Sequence, residues 1–304
     1  MNNSDNPVRD NPVHKNPVHN NPVAPLGSEE YVEQAHVFAA LAKRLQENVP
    51  TQEALTSLRE EVLATTKLPM AIDFLLAELR HAGAMSLAMV GLPHYFTPLQ
   101  AYLIEAAEQE QGRFDLRIGL QLLQKEAEYR AGKGESPPTR AGLFLFQFEA
   151  LARNRLKYSR GLEAIAGDPA YDEVWRDWVL SLRSKMGFAD MADLIYVHSE
   201  HYRTRKTAGR ELQQSDQPVV LFGEREGRIA LANRRKDPLF LFNSLHRQLG
   251  YPSPPRPARA TETEQLSLPQ LARRLEQIEK RITLVEEEQR GGIDLTKFYK
   301  NPDE

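Results

Sequence analysis

The sequence predicts a mainly α-helical fold: a compact bundle of about six short helices, a small β-hairpin and a C-terminal coiled-coil helix. Three observations support this prediction. Residues 28–130 contain six short apolar stripes at spacings of three and four residues, separated by short breaks, which is typical of a helical bundle. Residues 219–231 contain two apolar runs around a glycine-bounded turn, which indicates a hairpin. Residues 265–290 contain a heptad pattern, which indicates a coiled coil.

Proline and glycine mark the ends of the predicted bundle helices. Pro50, Pro69 and Pro98 stand at or just before predicted helix starts, where the missing N–H of proline costs nothing. Gly83 and Gly112 stand at predicted helix ends, because glycine adopts the left-handed conformation that terminates many helices. The sixth stripe follows the last of these turns and consists of Leu116, Leu120, Leu123 and Ala127.

The composition is that of an ordinary soluble globular protein. The chain has 304 residues, 41% hydrophobic and 27% charged, so one to three domains with a sizeable core are expected. A net charge of −3 argues against a protein whose whole surface binds polyanions. The absence of cysteine excludes disulfides and thiolate metal sites, and it fits a reducing compartment.

The sequence predicts no integral membrane segment. The longest uncharged run, from Ala82 to Ile104, is interrupted by Pro93 and Pro98, whereas a membrane span needs about 20 predominantly apolar residues in one continuous helix. The N-terminus, Asn-Asn-Ser-Asp after the first methionine, does not resemble a secretory signal. We therefore expect a soluble, cytoplasmic protein.

Three segments are expected to lie outside packed domains. Residues 1–27 contain four pentads that begin with Asn-Pro-Val, and a proline every five residues predicts an extended, disordered tail. Residues 131–140 are rich in glycine, proline and charge, which is typical of a flexible linker. Residues 291–304 form a C-terminal tail.

Residues 141–202 are predicted to form a second helical domain. Phe148 begins a motif that matches the one at Phe38, and Gly187 follows a Leu-Arg pair as Gly83 does. This pattern indicates a diverged second copy of the first domain, although chance similarity between amphipathic helices explains it equally well. One predicted helix of this half has an apolar face made of Val174, Trp175, Trp178 and Leu182.

Residues 203–259 form a basic segment with 12 Lys and Arg residues against 5 Asp and Glu residues. Its predicted elements are the β-hairpin and an apolar helix from Pro238 to Leu249. The charge suggests nucleic-acid binding as one alternative. Phe222, Phe240 and Phe242 fall in apolar runs, however, and are expected to be buried rather than available for stacking on bases. We therefore do not expect a nucleic-acid partner.

The C-terminal heptads predict an interaction surface. Their seam is short, so weak parallel self-association is expected, with opposite charges at the flanking positions. Docking of a single helix on its own domain is the alternative. The seam residues are Leu268, Leu271, Leu275, Ile278, Ile282 and Val285.

Two Glu-x-x-His pairs are the candidate metal ligands: Glu33 with His36, and Glu78 with His81. Such pairs build di-metal sites in four-helix bundles when all ligands project inward. Here the first pair is predicted to lie opposite the apolar face, and His81 lies at an exposed helix end. We expect no metal and no cofactor, and we keep a metal-dependent helical-bundle enzyme as the alternative.

Two other polar clusters could carry chemistry. His198 and His201 could bind metal or transfer protons, but the cations that follow them favour an ordinary helix end. Glu108, Glu110 and Asp115 could hold a hard cation, although Asp115 is better placed to cap the next helix. Phosphate-binding loops, dinucleotide fingerprints and nucleophile elbows are absent from the sequence.

The first domain resembles the cytoplasmic helical domain of the F-type inner-membrane platform proteins of type II secretion and type IV pilus machines. The resemblance covers residues 36–130. Two positions depart from the motifs of that family: Thr97 replaces a proline and Gln111 replaces a serine. The matching motifs, in order, are Val49–Leu55, residues 69–80, Gly83 with Ser86 and Leu87, Phe96–Leu99, Glu108, Gln111–Gly112 and Phe114–Asp115.

This resemblance implies a six-helix fold and protein partners. Domains of this family contact the assembly ATPase and other inner-membrane components, so similar partners and a position at the inner membrane are implied here. The membrane helices of the family have no counterpart in the sequence. The leading prediction is a soluble, non-enzymatic adaptor or scaffold that acts through protein–protein contacts.

Overall fold

The computed structural model describes residues 25–109, 114–134, 136–187, 189–207 and 218–256. Within these residues it contains only helices and one isolated parallel bridge, between Ser199 and Phe222, which confirms the mainly α-helical class. The helices are α1 (Ser28–Gln46), α2 (Thr51–Glu61), α3 (Leu68–Ala82), α4 (Met85–Gly91), α5 (Pro98–Glu108), α6 (Leu116–Arg130), α7 (Arg140–Arg153), α8 (Tyr158–Ala166), α9 (Glu173–Lys185), α10 (Met191–Val197), α11 (Glu200–Thr207), α12 (Glu224–Asn233) and α13 (Pro238–Leu249).

Among the first six helices, α1 lies along α6 and also contacts α2 and α3. In the predicted apolar stripe of α6, Leu120, Leu123 and Ala127 are buried, whereas Leu116 is only partly buried. Helix α6 meets a buried face of α1 that includes Phe38 and Leu41. Helices α2, α3, α4 and α5 follow in chain order, and each packs on the next. Burial of one apolar stripe per helix is the main force that holds such short helices together.

Local capping explains where α3 and α5 end and begin. Gly83 adopts a φ of 71° after the last turn of α3, a conformation that favours glycine. Thr97 and Gln100 form a capping box at the start of α5, so the residue that departs from the proline of the resembling motif is used as a helix cap. Gln100 Nε2 also donates to Gln34 Oε1 of α1 at 3.2 Å.

The carboxylate of Glu108 caps the start of α4. It accepts hydrogen bonds from the backbone N–H groups of Met85 and Ser86, at 2.6 and 3.1 Å, and from the hydroxyl of Ser86. These bonds satisfy donors that a helix start leaves unpaired. Asp115 caps α6 by accepting from the backbone N–H of Arg117 at 2.7 Å, as the sequence predicts.

The second half continues from the first without a separate core. Helix α7 packs on α6, and α8 packs on α5, so the apolar residues of both halves belong to one cluster. Trp175, Trp178 and Leu182 are buried on one face of α9, as predicted. Val174 is an exception, because it is 45% exposed.

The predicted β-hairpin at residues 219–231 is wrong. Residues from Glu224 onward form α12, and only Phe222 makes a bridge, to Ser199. Gly227, which the sequence places at the end of the predicted turn, lies inside α12. A Cβ at this position would come within 2.2 Å of the Ser199 hydroxyl. Close packing, and not turn formation, requires glycine at this position. The helix from Pro238 to Leu249 is observed as predicted.

Among the described residues, no helix has the length and apolar character needed to cross a membrane. The predicted N-terminal tail up to residue 24, the heptad seam and the C-terminal tail lie outside the part of the chain that the structure describes. Glu110, Gln111 and Gly112 of the acidic turn also lie outside it.

Candidate functional site

A buried polar cluster joins α6, α7 and the loop before α9. Arg130, whose side chain is 5% exposed, donates to Glu126 Oε1 at 2.7 Å and to both carboxylate oxygens of Asp168. Gln147 Nε2 donates to Glu126 at 2.6 Å and to Asp168 at 3.1 Å. Tyr171 donates its hydroxyl to Gln147 Oε1 at 2.7 Å. The five side chains are all buried, and within the described residues Glu126 Oε2 and Arg130 Nε have no hydrogen-bond partner.

The electrostatics of this cluster indicate a structural role. Burial alone would lower the pKa of Arg130, but the carboxylates of Asp168 and Glu126 outweigh it and raise that pKa well above its usual range. Burial raises the pKa of Tyr171 well above its ordinary value. Both groups therefore hold their protons, and all five side chains of the cluster are buried.

Sequence reasoning did not find this cluster. Gln147 lies in an apolar run, and Asp168 stands before a proline, so neither residue is singled out by the sequence. One signal was present: Glu126 and Arg130 form an i, i+4 pair next to Ala127 of the buried α6 stripe. A charged pair beside a core stripe indicates that a further buried partner is needed.

The four candidate metal ligands are not brought together. Within the described ranges, no group of three or more His, Asp or Glu side chains is arranged to hold a metal ion. Glu33 accepts a hydrogen bond from the backbone N–H of Leu63 at 3.0 Å, and His36 is exposed beside it. Glu78 and His81 lie on α3, where His81 is exposed.

The segment from His198 to His201 is a tightly packed junction between α10 and α12. The buried Ser199 donates its hydroxyl to the backbone carbonyl of Tyr196 at 2.6 Å. His201 Nδ1 lies 2.8 Å from Glu224 Oε1 on α12. The ring of His198 lies edge-on to Trp178, with 5.7 Å between ring centroids. The two histidines thus serve separate contacts and do not converge on one site.

We expect the stability of the protein to fall as the pH drops from about 6.5 to about 4, in part because of His198. Burial, and secondly the nearby Lys185, lower the pKa of His198 from 6.5 to about 4. The unfolded chain therefore takes up this proton first, so the contribution of His198 is complete above pH 6.5 and is lost toward pH 4. Because the ring is only partly buried, we expect His198 to contribute about 1–2 kcal/mol to the free energy of unfolding.

Urea unfolding of the wild type and of His198→Phe at several pH values tests this expectation. The difference in unfolding free energy between the two proteins should change across this pH range. Carboxylates that titrate at lower pH are common to both proteins and cancel in the difference. A difference that stays constant with pH would contradict the assignment.

An apolar surface, here called the apolar strip, lies on α3 and α4. Met70 is 68% exposed and Val90 is 64% exposed, although both are large and apolar. The ring of Phe74 covers Gly91, where a Cβ would lie 3.2 Å from the ring, so the two helices present one continuous surface. The apolar strip consists of Met70, Phe74, Leu87 and Val90.

The apolar strip leads into a groove of about 340 Å³ between α4, α5 and α8. Val90 belongs to both surfaces, and the groove wall is mostly apolar. Two ion pairs lie at its rim: Arg160 donates to both oxygens of Glu105, at 2.9 and 2.8 Å, and Arg183 contacts Glu163 at 2.6 Å. The other apolar and small lining residues are Met89, Pro93, Phe96, Pro98, Ala101, Tyr102 and Ala164.

Phe222 and Phe242 of the basic segment are buried, as predicted. The prediction for Phe240 is wrong, because this side chain is 61% exposed. Helix α13 buries the face that contains Leu241, Phe242 and Leu245, so Phe240 points away from the core.

Comparisons of the chain with protein-family models, with curated proteins and with solved structures find no match.

Proposed function

We propose that this protein is a non-enzymatic adaptor that binds a partner protein through the apolar strip and the adjoining groove. The observation that carries the proposal is the continuous exposure of Met70, Phe74, Leu87 and Val90 on two packed helices. A contiguous apolar surface beside a groove is typical of a protein-interaction site. The described residues offer no competing cluster of groups suited to metal binding.

The partner that fits this surface is the apolar face of an amphipathic helix. The groove has a volume of about 340 Å³ and a mostly apolar lining, which suits a row of apolar side chains. Glu105 and Glu163 at the rim are already paired with arginines of the same chain. The partner therefore needs no charge to match them, and binding should depend only weakly on salt.

The resemblance of residues 36–130 to secretion and pilus platform domains suggests the class of partner. We propose a component of such an assembly machine at the cytoplasmic side of the inner membrane. The strip and the groove lie within or beside the resembling region, since α3, α4 and α5 belong to it. Self-association through the heptad seam from Leu268 to Val285 is a separate part of this proposal and rests on the sequence alone.

The arrangement of helices suggests a diverged internal repeat. Helix α2 packs on α3 as α8 packs on α9, and α4 packs on α5 as α10 packs on α12. The contact of α5 with α6 corresponds to the contact of α12 with α13. The contact of α1 with α6 corresponds to the contact of α7 with α13. The contact of α3 with α4 has no counterpart among the described helices, and α11 is an addition. Repeated helical units are common in proteins that bind partners along an extended surface.

We expect the double variant Leu87→Ser, Val90→Ser to lose its partner. Each side chain buried on binding contributes about 1 kcal/mol or more, so their loss should weaken binding at least about tenfold. The measurement is affinity capture with the full-length chain, with identification of the captured proteins by mass spectrometry. The wild type should recover a secretion or pilus assembly component at both low and high salt.

The matched control is Val174→Ser, Leu180→Ser, which removes two exposed apolar side chains from α9, outside the strip. This control should capture the partner as well as the wild type does. Circular dichroism should show equal helix content in all three proteins, because the replaced side chains are exposed. The proposal fails if no assembly component is recovered, or if the strip variant recovers it unchanged.

A further inference from the structure

A second exposed surface, here called the basic knob, comprises residues 234–240, which form the loop after α12 and the first turn of α13. All seven residues of this knob are exposed. Leu239 and Phe240 are the apolar side chains in it, at 49% and 61% exposure. Arg234, Arg235 and Lys236 precede them in the sequence. Asp237, the acidic residue of the knob, caps α13 by accepting a hydrogen bond from the backbone N–H of Leu239 at 2.9 Å. This combination differs from the apolar strip, which has no cation among its residues.

Two cations of the basic knob are available for a ligand. Arg234 is used inside the protein, where it pairs with Asp193 of α10. The backbone N–H of Arg235 donates to Asp190 at 2.9 Å and fixes the turn, whereas its guanidinium has no partner within the described residues. The ammonium of Lys236 likewise has no partner in that part of the chain. The turn is thus held rigid while its charges face outward.

We infer that the basic knob docks on an anionic phospholipid surface, with Leu239 and Phe240 entering the interface and Arg235 and Lys236 binding lipid phosphates. Apolar side chains next to free cations are typical of proteins that lie at a membrane surface. A base-stacking site is less well matched, because Leu239 has no π-face to offer a base. The inference is independent of the proposed partner and uses a different face of the protein.

The test is sedimentation of the full-length chain with vesicles of phosphatidylcholine alone and of phosphatidylcholine mixed with phosphatidylglycerol. The chain should bind the anionic vesicles and not the neutral ones. Binding should weaken as salt rises, since the screening length falls from about 10 Å at 0.1 M to about 3 Å at 1 M. Salt-dependent vesicle binding would thus be separable from the salt-insensitive capture of a protein partner.

Two double variants separate the contribution of the cations to vesicle binding from that of the apolar side chains. The variant Arg235→Asn, Lys236→Gln should weaken vesicle binding about 25-fold, or about fivefold for each cation. Asparagine is chosen because residue 235 has a φ of 59°, which asparagine tolerates. The variant Leu239→Ser, Phe240→Ser should weaken binding at least about tenfold, because two apolar side chains no longer enter the interface.

Matched controls exist for both variants. Lys43→Gln, Arg80→Gln removes two exposed cations far along the sequence from the knob, and Val174→Ser, Leu180→Ser removes two exposed apolar side chains. Both controls should bind anionic vesicles within about twofold of the wild type. A single-stranded oligonucleotide is the competing probe. The inference is overturned if the wild type does not bind anionic vesicles, or if the knob variants bind them as strongly as the controls do. It is also overturned if Arg235 and Lys236 contribute only to binding of the oligonucleotide.

Discussion

Replacement of Asp168 by alanine should destabilise the protein by about 3–5 kcal/mol, which is the usual cost of removing one partner from a buried ion pair. Asp168 is fully buried and contacts Arg130 with both carboxylate oxygens. It also accepts hydrogen bonds from Gln147 Nε2 and from the backbone N–H of Ala170. Its loss leaves the guanidinium buried with Glu126 as the single remaining carboxylate and leaves both other donors without this acceptor.

The matched control is Asp73→Ala, which breaks the ion pair with Arg59 on the surface of α2 and α3. Both partners are largely exposed, so the loss should be at most about 1 kcal/mol. Urea denaturation at neutral pH, followed by circular dichroism, gives both values. Equal costs for the two variants would show that the cluster around Arg130 is solvated and does not hold α6 to α7.

This cluster also shows where sequence reasoning stops. Helices could be placed from spacing, proline and glycine, because those signals are local. The contact of Arg130 with Asp168 joins residues far apart in the chain, and no periodic pattern predicts it. Only the pair of Glu126 and Arg130 is close in sequence. This pair indicates a buried charge, but it does not identify Asp168 as the further partner.

The two errors in the basic segment have one physical cause. The run Leu239–Phe242 is expected from the sequence to be buried, but α13 buries only one of its sides. Leu239 and Phe240 are therefore exposed, while Leu241 and Phe242 face the core. Gly227 was interpreted as a turn residue, but it permits Ser199 to pack against α12. In both cases the packing partner, which the sequence does not show, decides the outcome.

The apolar strip was only partly predictable. The sequence indicates that residues 82–104 lack charge, and helical spacing places Leu87 and Val90 on one side of α4. That this side is exposed, and that Met70 and Phe74 of α3 extend it, follows from how α4 packs on α3 and α5. An uncharged run is equally compatible with a buried core, so the sequence alone does not predict that the side chains of the apolar strip are exposed.

Replacement of Trp178 by alanine should cost about 3–5 kcal/mol, whereas replacement by phenylalanine should cost less than about 1.5 kcal/mol. The indole lies at the centre of an aromatic group in the second half. Its ring centroid is 4.9 Å from Phe144, 5.6 Å from Trp175 and 5.4 Å from Phe222, in edge-to-face geometry. Alanine removes all these contacts and leaves a cavity, while phenylalanine keeps a ring in place.

The two substitutions are expected to differ in cost because the indole N–H of Trp178 is buried without a hydrogen-bond partner among the described residues. Phenylalanine removes this unpaired donor, and that gain offsets part of the lost ring volume. His198 Nδ1 is unpaired in the same way, and its ring lies beside the indole. Urea unfolding of both variants measures the two costs. If phenylalanine costs as much as alanine, the indole N–H must be hydrogen-bonded in solution, and a buried water shared with His198 would account for it.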